Sequence, residues 1–267
     1  MTTPTKSVVN RDLILAARQG LIPVRESARL GGFGNMFRKE LGQWWGTRTW
    51  LVQTIIWILI LNGISIIVAL TEGPAVDTFL PMSVGAVALG TVIAAQGTIV
   101  GEKQLGTAAW VMSKPASRAA FVLAKIVANA VGFWATALII PSIIFVITMR
   151  MLLPDPLPLL PFLAGVGIAA LSQLFFLTLT VMLGTFNNSR GPIAGVGIGF
   201  VMTGLLLKNL IPFPVLIVTP WPLGDVSAGL ALGTALPPIW PVPVLATAFW
   251  IVVMTVAALW RFGREEF

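Results

Sequence analysis

Long runs of apolar residues dominate the chain, and six of them are long enough to cross a membrane as helices. A hydrocarbon core of about 30 Å thickness needs about 20 apolar residues in an α-helix. Polar or proline-containing connections separate the six runs. The pattern predicts an all-α, six-helix transmembrane domain over residues 50–267, with spans at 50–70, 80–100, 119–148, 159–186, 192–210 and 244–260.

The first 49 residues are mostly polar, which predicts cytoplasmic helices rather than a signal peptide. Residues 11–22 have the pattern of a short helix. Residues 33–48 favour an amphipathic helix, because its apolar residues recur at helical spacing: Phe33, Met36, Phe37, Leu41, Trp44 and Trp45. A basic amphipathic helix with two tryptophans that leads directly into a span is typical of the membrane interface. Packing of this helix on another subunit is the alternative interpretation.

The composition excludes a soluble globular domain and several kinds of chemistry. Hydrophobic residues make up 57% of the chain and charged residues only 10%, whereas a soluble domain carries about 25% charged residues. The chain contains no cysteine, histidine or tyrosine. Disulfides, thiolate nucleophiles, imidazole ligands and Ser–His hydrolysis are therefore excluded.

Lysine and arginine are distributed unevenly among the connections. All but two of the 17 basic residues fall on the side of the N-terminal segment, the second and fourth connections and the C-terminus, and the exceptions are Arg150 and Lys208. The positive-inside rule then predicts that both termini are cytoplasmic, in a multi-pass protein of the plasma membrane. The net charge of +7 is explained by this topology and by contact with anionic lipids, not by nucleic-acid binding.

No Asp or Glu lies inside a predicted span, which disfavours a proton- or sodium-coupled carrier and points to an external source of energy. The polar candidates for a translocation path are four amides, which equally fit helix-bridging hydrogen bonds: Gln53, Asn62, Gln96 and Gln173. Three glycines repeat every fourth residue in the fifth predicted span and predict close packing against another helix: Gly191, Gly195 and Gly199. Residues 211–243 are apolar but interrupted by prolines, which predicts a re-entrant or interfacial outer cap.

The connection at 101–118 (GEKQLGTAAWVMSKPASR) is too short for a domain and too polar to span. It predicts a short helix after Glu102 that is broken before Pro115. Such a helix, projecting between two spans, would contact a soluble partner on the cytoplasmic side. A solvated hairpin is the alternative.

This connection resembles the motif of the type-2 ATP-binding-cassette exporter permeases. The matching positions are Glu102, Gly106-Thr107, Pro115-Ala116-Ser117-Arg118 and Lys125. The run Arg38-Lys39-Glu40, followed by Arg48, resembles the amphipathic connecting helix of the same family, and the order of elements agrees along essentially the whole chain. The sequence departs from the family at Gln104 and at Ala108-Ala109, where acidic residues are common.

The resemblance implies an exporter permease subunit that dimerises with a second copy or a homologous permease and docks on cytosolic ATPase subunits. It implies ATPase coupling through Glu102, Gly106, Thr107, Trp110, Pro115 and Arg118, and a connecting helix that carries Phe37, Arg38, Lys39, Glu40, Trp44 and Trp45. No Walker A loop is present, so the chain is expected not to be an enzyme by itself and to bind no cofactor, while ATP and Mg²⁺ bind to the partner. The uncharged spans suggest an amphipathic or lipid-like cargo. The alternative function is a non-transporting membrane scaffold with the same fold.

Overall fold

The fold is known from a computed structural model that describes residues 30–71, 75–113, 116–153, 157–208, 210–211, 213–236 and 239–266. All regular elements among these residues are helices. We number them α1 (Phe33–Trp45), α2 (Thr49–Thr71), α3 (Val76–Ala95), α4 (Val100–Gln104), α5 (Thr107–Met112), α6 (Arg118–Leu152), α7 (Leu159–Phe186), α8 (Arg190–Leu207), α9 (Phe213–Leu216), α10 (Leu223–Leu232) and α11 (Pro241–Gly263). The helix predicted at 11–22 lies outside the described residues, as does Pro115.

Six helical stretches are long and apolar enough to cross a membrane: α2, α3 together with α4, α6, α7, α8 and α11. The fourth predicted span agrees with α7 at both ends. The second predicted span begins too late, because α3 starts at Val76 and holds Asp77 in its first turn, where a carboxylate is favourable to the helix dipole. The fifth predicted span begins and ends too late, since α8 starts at Arg190 and ends at Leu207, and the following Lys208 pairs with Asp225.

Two of the spanning helices widen by a π-turn. The turns cover Ile58–Asn62 in α2 and Trp134–Ile139 in α6. In α6 the widened turn directly precedes Pro141, which lacks the N–H needed for a regular helix. The two sites are joined by a hydrogen bond from Asn62 Nδ2 to the Pro141 carbonyl oxygen, at 3.2 Å.

Helix α7 is the centre of the bundle and packs against α3, α10 and α11. Three stacked phenyl rings form part of this core: Phe79 lies 4.2 Å from Phe145, and Phe145 lies 5.5 Å from Phe162, between ring centroids. By contrast, only 22% of the apolar stretch of α8 and of α11 is buried. These two helices therefore turn most of their surface to lipid or to another subunit.

The segment predicted as an outer cap contains two short helices, α9 and α10. Helix α10 inserts between α3 and α7, and most of its residues are buried. Helices α10 and α7 approach each other closely at Gly165 of α7, where an added Cβ would lie 2.7 Å from the carbonyl oxygen of Ser227 in α10. A glycine is required there because any side chain would push α10 away from the core.

Candidate functional site

The described members of the predicted coupling set gather at one end of the bundle, which we call the basic end: Glu102, Gly106, Thr107, Trp110 and Arg118. It is formed by α1, α4, α5 and the adjoining ends of α6, α7 and α11. Contacts between these elements join parts of the chain that are far apart in sequence. The described parts of the connection, residues 101–113 and 116–118, are therefore held on several sides.

Lys125, in the second turn of α6, lies at the centre of the basic end. Its side chain is 3% exposed, and its Nζ lies 2.9 Å from Glu40 Oε1 and 2.8 Å from Glu102 Oε1. Lys39 reaches the same Glu102 oxygen from the surface at 3.2 Å. A buried ammonium needs such partners, because an unpaired charge removed from water costs several kcal/mol. Two lysines and two glutamates thus form a charge-balanced cluster that links α1, α4 and α6.

The inner face of α1 is fixed to α6 by Trp44. Its indole Nε1 donates to Asn129 Oδ1 at 3.2 Å, and its ring meets Phe133 edge-on with centroids 4.9 Å apart. The ring lies so close to Gly132 that a Cβ there would come within 2.3 Å of it. The sequence pattern found the apolar face of α1 but not its partners, since nothing in the spacing of α6 marks Asn129 or Gly132 as neighbours of Trp44.

The other predicted residues of α1 lie nearer the surface. Phe37 stacks on Phe33 at 5.8 Å, and Arg38 is exposed. Trp45 is 41% exposed and lies 5.4 Å from Trp50 at the start of α2. The helix therefore presents one face to α6 and keeps aromatic and basic side chains on its outer surface.

The connection 101–118 bends sharply at Gly106, whose φ of 68° lies in the left-handed region that favours glycine. The bend separates α4 from α5, and Thr107 Oγ1 donates back across it to the Glu102 carbonyl oxygen at 3.2 Å. Two large apolar side chains project from the bend, with Leu105 79% and Trp110 62% exposed. Exposed apolar side chains on a short projecting helix are typical of a contact surface.

The far end of the connection is also tied down. The Ser117 hydroxyl caps α6 by accepting from the Ala120 N–H at 2.9 Å. The Ser117 N–H in turn donates to the Gly31 carbonyl oxygen at 3.0 Å. Arg118 Nη1 donates to the Gly263 carbonyl oxygen at the end of α11, at 2.8 Å.

Helix α4 is further joined to the fourth connection and to the C-terminal segment. Lys103 Nζ lies 2.9 Å from Glu265 Oε1 and donates to the Thr185 carbonyl oxygen at 3.2 Å. Gln104 Nε2 donates to the Asn188 carbonyl oxygen at 2.8 Å. Sequence reasoning missed Glu265 and treated Gln104 only as a departure from a motif, because these contacts cross more than 80 residues of chain.

The four amides considered for a translocation path do not share one cavity. Asn62 bonds to Pro141 as described, and the buried Gln173 Nε2 donates to Thr91 Oγ1 at 3.3 Å. Gln96 Nε2 donates to the Ile93 carbonyl oxygen of its own helix at 2.9 Å. Gln53 lies on a cavity at the basic end, and its Oε1 has no hydrogen-bond partner among the described residues.

The glycine repeat of α8 faces outward. A Cβ added at Gly191, Gly195 or Gly199 would meet no atom within 4 Å, and all three glycines are exposed. Packing inside the described chain uses Gly197 instead, where a Cβ would lie 2.6 Å from Val92. The predicted packing role of the repeat therefore requires another molecule.

Among the described residues, no group of three or more acidic side chains is placed to hold a metal ion. The family of proteins of unknown function DUF2705 matches residues 77–267, which include every candidate span except α2. None of the curated proteins compared with the chain matches it.

Proposed function

The chain belongs to the DUF2705 family of unknown function, and we propose that it is the membrane subunit of an ATP-driven exporter of the type-2 ATP-binding-cassette kind. In this proposal two permease subunits, identical or homologous, work with two cytosolic ATPases. ATP and Mg²⁺ are bound by those partners. The basic end faces the cytoplasm of a cell whose plasma membrane holds the protein, in keeping with the positive-inside rule.

The observation that carries the proposal is the bonding of Lys125 to both Glu40 and Glu102. A force applied to α4 by a soluble partner would reach α6 and α1 at the same time, because one buried ammonium joins these three helices. Helices that are joined by short charged contacts move together, because a close-packed interior leaves little space for one helix to shift without the other. This is the mechanical connection that an externally driven permease needs.

A docking surface for the ATPase is available beside this connection. Leu105 and Trp110 expose most of their side chains at the tip of the basic end. Tryptophan and neighbouring aliphatic side chains are frequent anchors in protein interfaces. The held position of α5 between Gly106 and Ser117 would present these anchors in a fixed orientation.

The position of the acidic residues supports an external energy source. In the described part of the six spanning stretches, carboxylates occur only near helix ends, at Asp77 and Glu102. Lys125, in α6, lies only about 10 Å from the start of that helix, at 1.5 Å per residue. Ion-coupled carriers usually place their ionisable groups near the membrane midplane.

A crevice between α3, α8 and α10 supports an amphipathic or lipid-like cargo. It has a volume of about 90 Å³ and is lined mainly by apolar side chains, among them Val84, Phe176 and Val201. The buried Trp221 Nε1 at this crevice has no hydrogen-bond partner among the described residues. Because a crevice of this size is too small to enclose a lipid, its support for the proposal is limited to the apolar character of the surface that a cargo would meet.

Co-purification of the full chain from its native membrane tests the proposal. We expect an ATPase with a Walker A loop to be recovered, and its recovery to fall at least about tenfold with Leu105→Asp plus Trp110→Ala. Trp260→Ala is the matched control, because Trp260 is 53% exposed near the same end but lies on α11. Recovery of no nucleotide-binding protein would refute the proposal. Recovery of an ATPase without ATP-dependent transport in vesicles would instead support the scaffold alternative.

A further inference from the structure

Buried apolar residues form separate clusters in the bundle, and two of these clusters share α6. One cluster contains Phe79 and Phe145. The other contains Phe121 and Phe133 and lies at the basic end. The π-turn Trp134–Ile139 lies where α6 passes from one cluster into the other. Because close-packed side chains resist being displaced individually, each cluster moves as a body, and α6 bends most easily between them.

Trp134, the first residue of this π-turn, packs against both clusters. Its Nε1 donates to the Ala170 carbonyl oxygen of α7 at 3.2 Å. Helix α7 is a continuous α-helix of 28 residues at the centre of the bundle. The two clusters therefore meet at a side chain that is held on a regular helix.

The residue types beside each π-turn weaken the regular helix. In α6, Pro141 follows the turn and has no N–H to donate. In α2, Gly63 follows the turn Ile58–Asn62, and glycine is a poor helix former. A Cβ added at Gly63 would meet no atom within 4 Å, so close packing does not require a glycine there. π-turns and prolines are both known causes of helix bending.

A hydrogen bond joins the two π-turns, so that bending in one helix affects the other. Asn62, in the turn of α2, is 3% exposed and donates through Nδ2 to the Pro141 carbonyl oxygen of α6. The segment of α6 before its turn, Arg118–Phe133, carries the contacts of Lys125 and Asn129 with α1. A bend at the turns consequently moves α1 together with this segment.

We propose that the paired π-turns form a hinge between the two clusters. The segments Thr49–Trp57 of α2 and Arg118–Phe133 of α6 move with α1 as one body. The segments Gly63–Thr71 of α2 and Ile140–Leu152 of α6 form the other body. Trp134 stays in contact with both clusters during the bend. The inference does not rest on the exporter proposal, since the hinge is a property of this chain and requires no ATPase.

Distances between pairs of spin labels test the hinge in the full chain, reconstituted in nanodiscs. The chain contains no cysteine, so labels attach only at introduced cysteines. Val127→Cys with Ile143→Cys brackets the π-turn of α6, at a separation of about 24 Å along the helix axis. Leu245→Cys with Trp260→Cys is the matched pair, about 22 Å apart on the regular helix α11. All four side chains are exposed. We expect the distance distribution to be about twice as broad across the π-turn as along α11.

Variants of the residues beside the turns identify the hinge. Pro141→Ala restores an N–H and should narrow the distribution across the α6 turn to the width found along α11. Pro192→Ala is the matched control and should leave that width unchanged, because Pro192 lies in the first turn of α8, where a missing N–H is harmless. Gly63→Ala should narrow the distribution between labels at Val52 and Ile67 of α2. The α11 pair checks that each variant is folded.

Equal widths across the α6 turn and along α11 would overturn the inference. A broad α6 distribution that survives Pro141→Ala, or that narrows equally with Pro192→Ala, would also overturn it, because the bend would then not arise at the π-turn. An α2 distribution that Gly63→Ala leaves unchanged would overturn the pairing of the two turns.

Discussion

Lys125 and Glu102 lie 23 residues apart in sequence, on two different helices, and their side chains meet at 2.8 Å in a setting where the lysine is 3% exposed. Glu40 completes the arrangement from α1. The three residues join the segment before the first span, the second connection and the third span. The first prediction follows from the free-energy cost of disturbing that junction.

Lys125→Met should destabilise the protein by about 3 kcal/mol, because it leaves two nearly buried carboxylates with only the half-exposed Lys39 as a cation. Thermal unfolding in mild detergent measures the loss. Lys208→Met is the matched control, since Lys208 contacts Asp225 at the same 2.8 Å distance but the Asp225 side chain is 67% exposed. Such a pair contributes less than about 1 kcal/mol. Equal losses in the two variants would contradict the central role of Lys125.

Gly132→Ala should release α1 from α6, because the new methyl group would overlap the Trp44 ring. We expect a cost of about 1–3 kcal/mol, typical of overpacking. Limited proteolysis between α1 and α2 should become faster. Gly195→Ala, with no atom near the added Cβ, should leave the proteolysis rate unchanged. Restoration of resistance by adding Trp44→Leu to Gly132→Ala would identify the overlap as the cause.

Gly195→Leu should affect assembly of the dimer, and Gly197→Leu should affect stability of the fold. Gly195 faces outward, so its replacement should preserve the monomer fold but weaken a dimer formed through α8. Gly197 contacts Val92, so its replacement should lower the melting temperature. Chemical crosslinking in native membranes measures the dimer. An unchanged dimer fraction in Gly195→Leu would exclude this face as the interface.

Gly106→Ala should disorder the start of α5, because a left-handed backbone costs a residue with a Cβ about 1–2 kcal/mol. Hydrogen exchange of residues 107–112 should become faster. Gly106→Asn should have a smaller effect, since asparagine tolerates this conformation better. Gly101→Ala serves as the control, because its Cβ would make only an ordinary 3.5 Å contact with Arg190. Unchanged exchange in Gly106→Ala would show that the bend is not required.

Gln173→Leu should lower stability by only about 0.6 kcal/mol, the average value of a hydrogen bond between membrane helices. The bond to Thr91 that it removes bridges α7 and α3. Transport should be unaffected if bridging is the role of this amide. A large fall in transport at unchanged melting temperature would instead place Gln173 on the translocation path.

The helices of the membrane domain were largely predictable because each depends on a local property. Twenty consecutive apolar residues form a helix in a bilayer wherever they occur, since the backbone must satisfy its own hydrogen bonds there. The prediction for α7 is confirmed at both ends. The prediction was less accurate for α3 and α8. Charged side chains lie at the ends of these helices, namely Asp77 in the first turn of α3 and the Lys208–Asp225 pair after α8, and a hydropathy pattern does not register such interactions.

Local sequence patterns were enough to predict six spanning stretches, an amphipathic α1 and a distinctive connection at 101–118. The resemblance to a permease family also included Glu40, Glu102 and Lys125, but nothing in the sequence indicated that these three residues are neighbours. Three relationships are visible only in the folded chain: one ammonium bonds both carboxylates, Trp44 packs against Gly132, and Gln53 borders a polar cavity. The physical reason is range: hydropathy acts residue by residue along the chain, whereas ion pairs and packing depend on atoms that only folding brings within 4 Å.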